Sequence, residues 1–286
     1  MIITRVEIEN FKSIKKFNQE LKQDFVNLND YVINSSSVEL WKTDFVDAVK
    51  WGLGVYFNFH SMVEMLHPTC FEKLDNLESE KEVSAVKVEF QENEKIFVLT
   101  KYVSYIFSND KVQSDKVWFT LNGQELSITE HIDFCSKFYN SAFAYVSFIE
   151  DFNFNTKENL SLQLWQDRFI NLLNAVNFEE ELQGINKVAK NFKISKKQLH
   201  LQLDENFIPH WYKPKGTLYL NGNYSESESK LRFIYYKLAL NEYISKKFEK
   251  NLPIFIGQAI NSVDSEQKEE LIRTLKKMNK QIIRCE

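Results

Sequence analysis

Glycine and proline are scarce in this chain of 286 residues, seven and four in all, against 24 phenylalanines and 12 tyrosines. Few positions can adopt the backbone that phosphate-cradling loops need, and the aromatic excess points to a large, stiff core. Cysteine is rare too: Cys70, Cys135 and Cys285 are odd in number, far apart and without a C-x-x-C pair, which argues against a disulfide scaffold, a structural zinc or a dithiol redox site. No run of about 18 apolar residues occurs, so no membrane partner is expected. The charged, alternating first ten residues resemble neither a signal nor a transit peptide, and a cytoplasmic location is the expectation. The net charge of −4 argues against indiscriminate binding of nucleic acid, so any such contact must sit on a local basic patch.

What is present is an alternation of strand and helix patterns. Residues 2–8 alternate with Ile2, Thr4, Val6 and Ile8 on one face, the period of a half-buried strand. A second strand is expected over 25–33, a loop over 34–37, and a helix over 43–53 with Phe45, Val46, Val49 and Leu53 on its apolar face. Residues 83–90, 95–103, 117–121 and 125–128 read as an antiparallel meander with a turn at Asn122-Gly123. Residues 133–144 predict a helix running into a short apolar strand over 143–149, and residues 158–206 read as mostly helical. A strand at 217–220, a long helix at 228–250, a strand at 253–256, a helix at 265–278 and a strand at 281–284 complete the pattern.

Several stretches carry a family resemblance. Arg5-Val6-Glu7-Ile8-Glu9-Asn10-Phe11-Lys12-Ser13 is similar to the opening strand and turn of SMC, SbcC and RecF ATPase heads, members of the ABC class. Thr43-Asp44-Phe45-Val46-Asp47-Ala48-Val49-Lys50-Trp51-Gly52-Leu53-Gly54 resembles their helix after the phosphate-binding loop, and Trp118-Phe119-Thr120-Leu121-Asn122-Gly123 resembles their meander. The resemblance implies an α/β fold of the P-loop NTPase kind: an antiparallel β subdomain, a mostly parallel core sheet flanked by helices, and a short helical insertion. The implied organisation is two halves of a head, 1–157 and 213–286, around an insertion at 158–212.

Carried over position by position, the family's chemistry is depleted. A P-loop reads G-x-x-x-x-G-K-[ST], its glycines letting backbone N–H groups face the phosphates. Lys42 and Thr43 are in place here, but Ser36 and Trp41 occupy the glycine positions. The glutamine-loop stretch, Tyr145 to Glu150, holds no glutamine. The signature counterpart is Tyr224-Ser225-Glu226-Ser227-Glu228, with Ser225 present and the glycines replaced. Walker B ends an apolar strand with a magnesium aspartate and a catalytic glutamate, and after Ile254-Phe255-Ile256 the chain has Gly257 and Gln258. Asp264 stands at the D-loop aspartate spacing, and no histidine follows the last strand.

These departures imply a catalytically inactive head, with Lys42, Thr43, Ser225 and Asp264 as a vestigial nucleotide site and with neither ATP nor magnesium expected as cofactor. The implied partner is a protein, either a second copy or an active relative, met through the face that such heads use to dimerise, in a DNA repair or genome-defence assembly. One alternative is a DNA-binding module: residues 185–199 resemble a helix-turn-helix, with Lys190, Lys193, Lys196 and Lys197 as a basic edge. Another is a weak nucleotide binder or slow ATPase that recruits Glu150 or Asp264. The five histidines show no metal spacing.

Overall fold

A computed structural model of the chain describes residues 1–21, 25–27, 38–55, 62–71, 81–108, 111–149, 178–219 and 224–285. The chain divides into two compact units, Met1–Ala144 together with Cys285, and Tyr145–Arg284.

The first unit is built on a six-stranded antiparallel sheet in the order β2-β1-β4-β5-β6-β7. Its strands are β1 (Ile2–Phe11), β2 (Ile14–Glu20), β4 (Lys81–Glu92), β5 (Lys95–Ser108), β6 (Lys111–Leu121) and β7 (Gln124–Leu126), with a separate short strand β3 (Phe25–Asn27). A register shift between Ile3 and Arg5 in the pairing with β4 changes which residues β1 buries. Ile3, Val6 and Ile8 are fully buried, whereas Ile2 and Thr4, expected on the core face, are only half-buried. Helix α1 (Val38–Gly52) starts five residues earlier than the apolar pattern predicts. Its last residue must be glycine, because a Cβ there would come within 2.8 Å of Val86 and 2.9 Å of Val88 on β4. Asn122 and Gly123 both have positive φ and form the expected hairpin turn between β6 and β7. Helix α2 (Ile128–Phe138) follows, opened by a capping box between Ser127 and Glu130.

Residues 143–147, expected to begin a strand, belong instead to helix α3 (Ser141–Ser147). The strand is confined to β8 (Phe148–Ile149). In the second unit β8, β12 (Ile254–Ile256) and β13 (Ile282–Arg284) are parallel, in the order β13-β12-β8. The expected parallel sheet is therefore present but small beside the antiparallel one. Helix α5 (Glu226–Lys247) carries buried residues around most of its circumference, Leu231, Ile234, Tyr235, Tyr236, Leu238 and Leu240 among them, so it is a core helix. Helix α6 (Ser265–Lys277) is amphipathic and buries Leu271 and Leu275.

The insertion is where expectation and structure part most clearly. Helix α4 (Phe178–Ala189) is as predicted, but β9 (Lys193–Ile194), β10 (Leu199–Leu203) and β11 (Pro209–Tyr212) form an antiparallel sheet where a second helix is expected. Leu199, Leu201 and Leu203 are buried and alternate with half-exposed His200 and Gln202, the period of two that a strand requires. Gln198, in the left-handed region at φ 50°, turns the chain into β10.

Candidate functional site

In the first unit the turn after β1 is clamped to α1. Lys12 Nζ lies 2.5 Å from Asp47 and 3.5 Å from Asp44, and the Ser13 N–H donates to Asp44 at 3.0 Å. Lys12 and Asn10 have positive φ, so this non-glycine turn costs conformational energy that the clamp offsets. Asp44 and Asp47 of the family-like helix thus hold this turn to α1. Lys50, deeper on the same helix, has its ammonium pushed down to about 8 by burial, against the opposing pull of Asp47.

Residues 36 and 37, the start of the P-loop stretch, lie outside the described residues, as does Glu150. Positions 38–41, which a P-loop would leave as cradle, are already helical in α1. Lys42 is the fifth residue of that helix, where N–H groups begin to be spent on the helix's own carbonyls. Its side chain is half-exposed, and that of Thr43 is exposed. At the position after the last strand Cys285 is fully buried, its thiol pushed up to about 12 by burial against the opposing pull of Lys42.

In the second unit Ser225 and Asp264, expected as parts of a vestigial site, are helix caps. Ser225 is the N-cap of α5: its hydroxyl accepts from the Glu228 N–H at 3.1 Å, and its own N–H donates to the Glu228 carboxylate at 2.9 Å. Lys197 also pairs with Glu228. Burial pulls the Glu228 carboxyl up, but Lys197 and the Ser225 amide outweigh it and hold it below the usual range. An N-terminus that could attract a phosphate is therefore already supplied with a carboxylate from its own first turn.

Asp264 caps α6, accepting from the Gln267 N–H at 2.9 Å. Ser227 Oγ accepts from the Asp264 N–H at 2.8 Å and lies 2.8 Å from Gln267 Oε1, which ties the starts of α5 and α6 together. The end of β12 is neutral, as Gly257 donates its N–H to the Ile149 carbonyl at 2.9 Å and Gln258 opens a 3-10 turn, Gln258–Ser262. A Cβ at Gly257 would make only an ordinary 3.6 Å contact with that carbonyl, so close packing does not require glycine there.

Two residues missed by the sequence reading organise the glutamine-loop stretch. Lys237, 2% exposed in the middle of α5, donates to the Tyr145 carbonyl at 2.6 Å and stacks its ammonium 3.0 Å from the centre of the Tyr145 ring. Asn241, one turn on, donates to the Val146 carbonyl at 3.3 Å. Their spacing of four on an otherwise apolar helix face was the available signal.

The basic edge is partly consumed. Lys196 pairs with Glu266 at 2.7 Å and Lys197 with Glu228. Lys190 follows α4, and Lys193 lies on β9, so no second helix exists there to enter a groove. Among the histidines, His131 stacks on Phe119 at 3.8 Å between centroids, and burial and the charge of Lys101 push it down to about 4. Among the described residues no group of three His, Cys, Asp or Glu side chains is placed to hold a metal ion. No described helix is long and apolar enough to cross a membrane.

No family model and no curated protein matches the chain. Solved structures do. The SMC head domain from Thermotoga maritima aligns with a TM-score of 0.56 at 16% identity, covering 99% of this chain and 88% of that one. An SMC head bound to the C-terminal winged-helix domain of ScpA aligns at 0.58 and 15% identity, covering 99% and 89%. RecF bound to ATP, from the RecFOR pathway, aligns at 0.52 and 11% identity, covering 99% and 91%. The chain therefore has the α/β fold of SMC and RecF ATPase heads.

Proposed function

We propose that this protein is a non-hydrolysing head of the SMC/RecF kind that works by association with another protein, either a second copy or an active head, in a DNA repair or genome-defence assembly. The observation that carries the reading is the end of β12, where Gly257 and Gln258 offer no carboxylate to bind magnesium or orient water. Further support comes from α1, which is helical through 38–41, and from Ser225, whose helix terminus is closed by Glu228. The solved neighbours contribute the fold; one of them is bound to a ScpA domain, which supports a protein partner here.

The test is phosphate release from ATP and magnesium by the purified chain, beside Lys42→Ala. The expected result is no turnover above background in either. Turnover in the wild type that Lys42→Ala abolishes overturns the reading. Tagged-chain purification from its native host then reports the partner, and recovery of an intact head of this class in fixed ratio is the expected outcome.

A further inference from the structure

A cleft of about 870 Å³ opens in the second unit between the C-terminal ends of α5 and α6 and the segment Asn191–Ser195. Most of its lining comes from the ends of α5 and α6 remote from the caps, and only Ser195 and Glu270 extend it toward them. Ser225 starts α5, whereas the cleft takes Glu242, Ser245 and Lys246 from its last two turns, and a helix of 22 residues is about 33 Å long. Residues 249–251 and 278–280, which line it, precede β12 and β13, so it lies by their N-terminal ends while Gly257 and Gln258 follow the C-terminal end of β12.

Its walls are unevenly charged. Lys193, Lys246, Lys250, Arg273, Lys277 and Lys280 face three carboxylates, so six cations less three anions leaves an excess of three positive charges. Two of the carboxylates are engaged: Glu242 pairs with Lys246 at 2.6 Å, and Glu270 accepts from the Ser195 N–H at 2.8 Å as well as from its hydroxyl. Lys193, Arg273, Lys277 and Lys280 have no carboxylate within ion-pair distance among the described residues. Lys280 is the most enclosed of them, donating to Ser245 Oγ at 2.5 Å, and burial holds its ammonium down at about 8 against the pull of Glu242 and with a push from Lys246.

The plainer account is that lysines near helix C-termini complement the helix dipole. It covers Lys246 and Lys277, which lie in last turns. It leaves out Lys193, which comes from β9, Arg273 in the body of α6, and Lys280, which is half-buried beyond the helix end.

We propose that this cleft binds a phosphate-bearing small molecule of nucleotide size, with Lys280 as the enclosed cation and Arg273 and Lys277 as exposed ones. The volume falls within the range of about 300–1,000 Å³ common for small-ligand sites. The guanidinium fork of Arg273 suits two oxygens of one phosphate. Phe192, the one aromatic residue of the lining, is itself buried, so no base-stacking platform for single-stranded nucleic acid is offered. Glu249 and Glu270 would interrupt a track for a duplex backbone.

The experiment is titration calorimetry of the full chain at low salt, without magnesium, using inorganic pyrophosphate and ADP as probes. One site per chain is expected. Arg273→Gln with Lys277→Gln should weaken both probes about tenfold or more, and Lys42→Ala should leave both unchanged, which separates this cleft from any residual P-loop binding. At pH 8.5 the bound phosphate should draw a proton onto Lys280, visible as a buffer-dependent heat that Lys280→Gln removes. If Lys280→Gln fails to fold, the exposed double variant still decides. Absence of heat with both probes overturns the proposal, as does loss of binding in Lys42→Ala with none in the double variant. A 20-mer duplex that binds, is lost in the double variant and is not displaced by pyrophosphate assigns the cleft to nucleic acid and also overturns it.

Discussion

The polar residues of α1 and those at the starts of α5 and α6 all stand in stretches that resemble a nucleotide-binding pattern, yet they are spent differently. In the first unit Asp44 and Asp47 reach across more than 30 residues of sequence to hold the strained turn at Lys12 and Ser13. In the second unit Ser225, Glu228 and Asp264 satisfy N–H groups of their own helices, and Ser227 joins the two helix starts. The contrast separates two kinds of motif residue. Those with a folding task are present in both regions, whereas of the positions that the resemblance assigns to phosphate or magnesium, 42 and 43 keep the pattern's Lys and Thr while 36, 41, 257 and 258 hold Ser, Trp, Gly and Gln.

The largest effects should come from the packing that carries each region, and comparing them tests whether the two units unfold together. Trp51 and Phe255 are both almost fully buried, at 2% and 0% exposure. Trp51→Ala and Phe255→Ala should each cost about 3–5 kcal/mol, read from urea midpoints by near-ultraviolet and far-ultraviolet dichroism together. Coincident transitions in both variants indicate one cooperative unit. Separated transitions, with only one moving in each variant, would break the comparison into two independent stabilities.

A second difference is electrostatic and centres on a histidine of the first unit. His131 has a folded value near 4 against the ordinary 6.5, so its neutral form is the one folding favours. The stability this gives is fully present above pH 6.5 and is lost as the pH falls toward 4. After allowance for partial solvent screening the loss is about 2 kcal/mol. Urea midpoints of the wild type and His131→Gln should converge over that window, and parallel curves would remove His131 from the account.

Caps come next. Asp264→Ala removes an acceptor from the start of α6 and a partner of Ser227, and should cost about 1 kcal/mol. Ser225→Ala should cost a similar amount, and neither change should alter the response to ATP and magnesium. An Asp264→Ala variant of unchanged stability but altered nucleotide response would reverse the assignment, making Asp264 a ligand rather than a cap.

Much of this was legible in the sequence, and the failures have physical causes. The helix carrying Phe45, Val46 and Val49, the meander and the core strand at Ile254 to Ile256 are written in strong apolar periods. Ser225-Glu226-Ser227-Glu228 spells a capping box as plainly as it resembles a signature stretch, and the box is what forms. Strand β2 was missed because only Ile14 and Phe17 are buried among lysines and polar residues. Strand β10 reads as helix in sequence because three leucines two apart also satisfy part of a helical stripe, and only the hairpin partner at Pro209–Tyr212 decides between them. Beyond their spacing, Lys237 and Asn241 carry no sequence signal of their own role, because a buried lysine is legible only once the carbonyl it serves, that of Tyr145, has been placed.

The smallest effect tests how far the basic edge is structural. Lys196 and Glu266 form an ion pair at 2.7 Å with both side chains more than half exposed. Such pairs gain little in high dielectric and lose side-chain entropy, so Lys196→Ala should change the urea midpoint by less than about 0.5 kcal/mol. The pair with Glu228 differs, because that carboxylate is nearly buried and also serves Ser225. Lys197→Ala should therefore cost more than Lys196→Ala, and raising salt should close little of the gap, since buried partners are weakly screened. Equal, salt-erased effects would show both lysines to be solvated surface charges, leaving the start of α5 less firmly closed than its capping box implies.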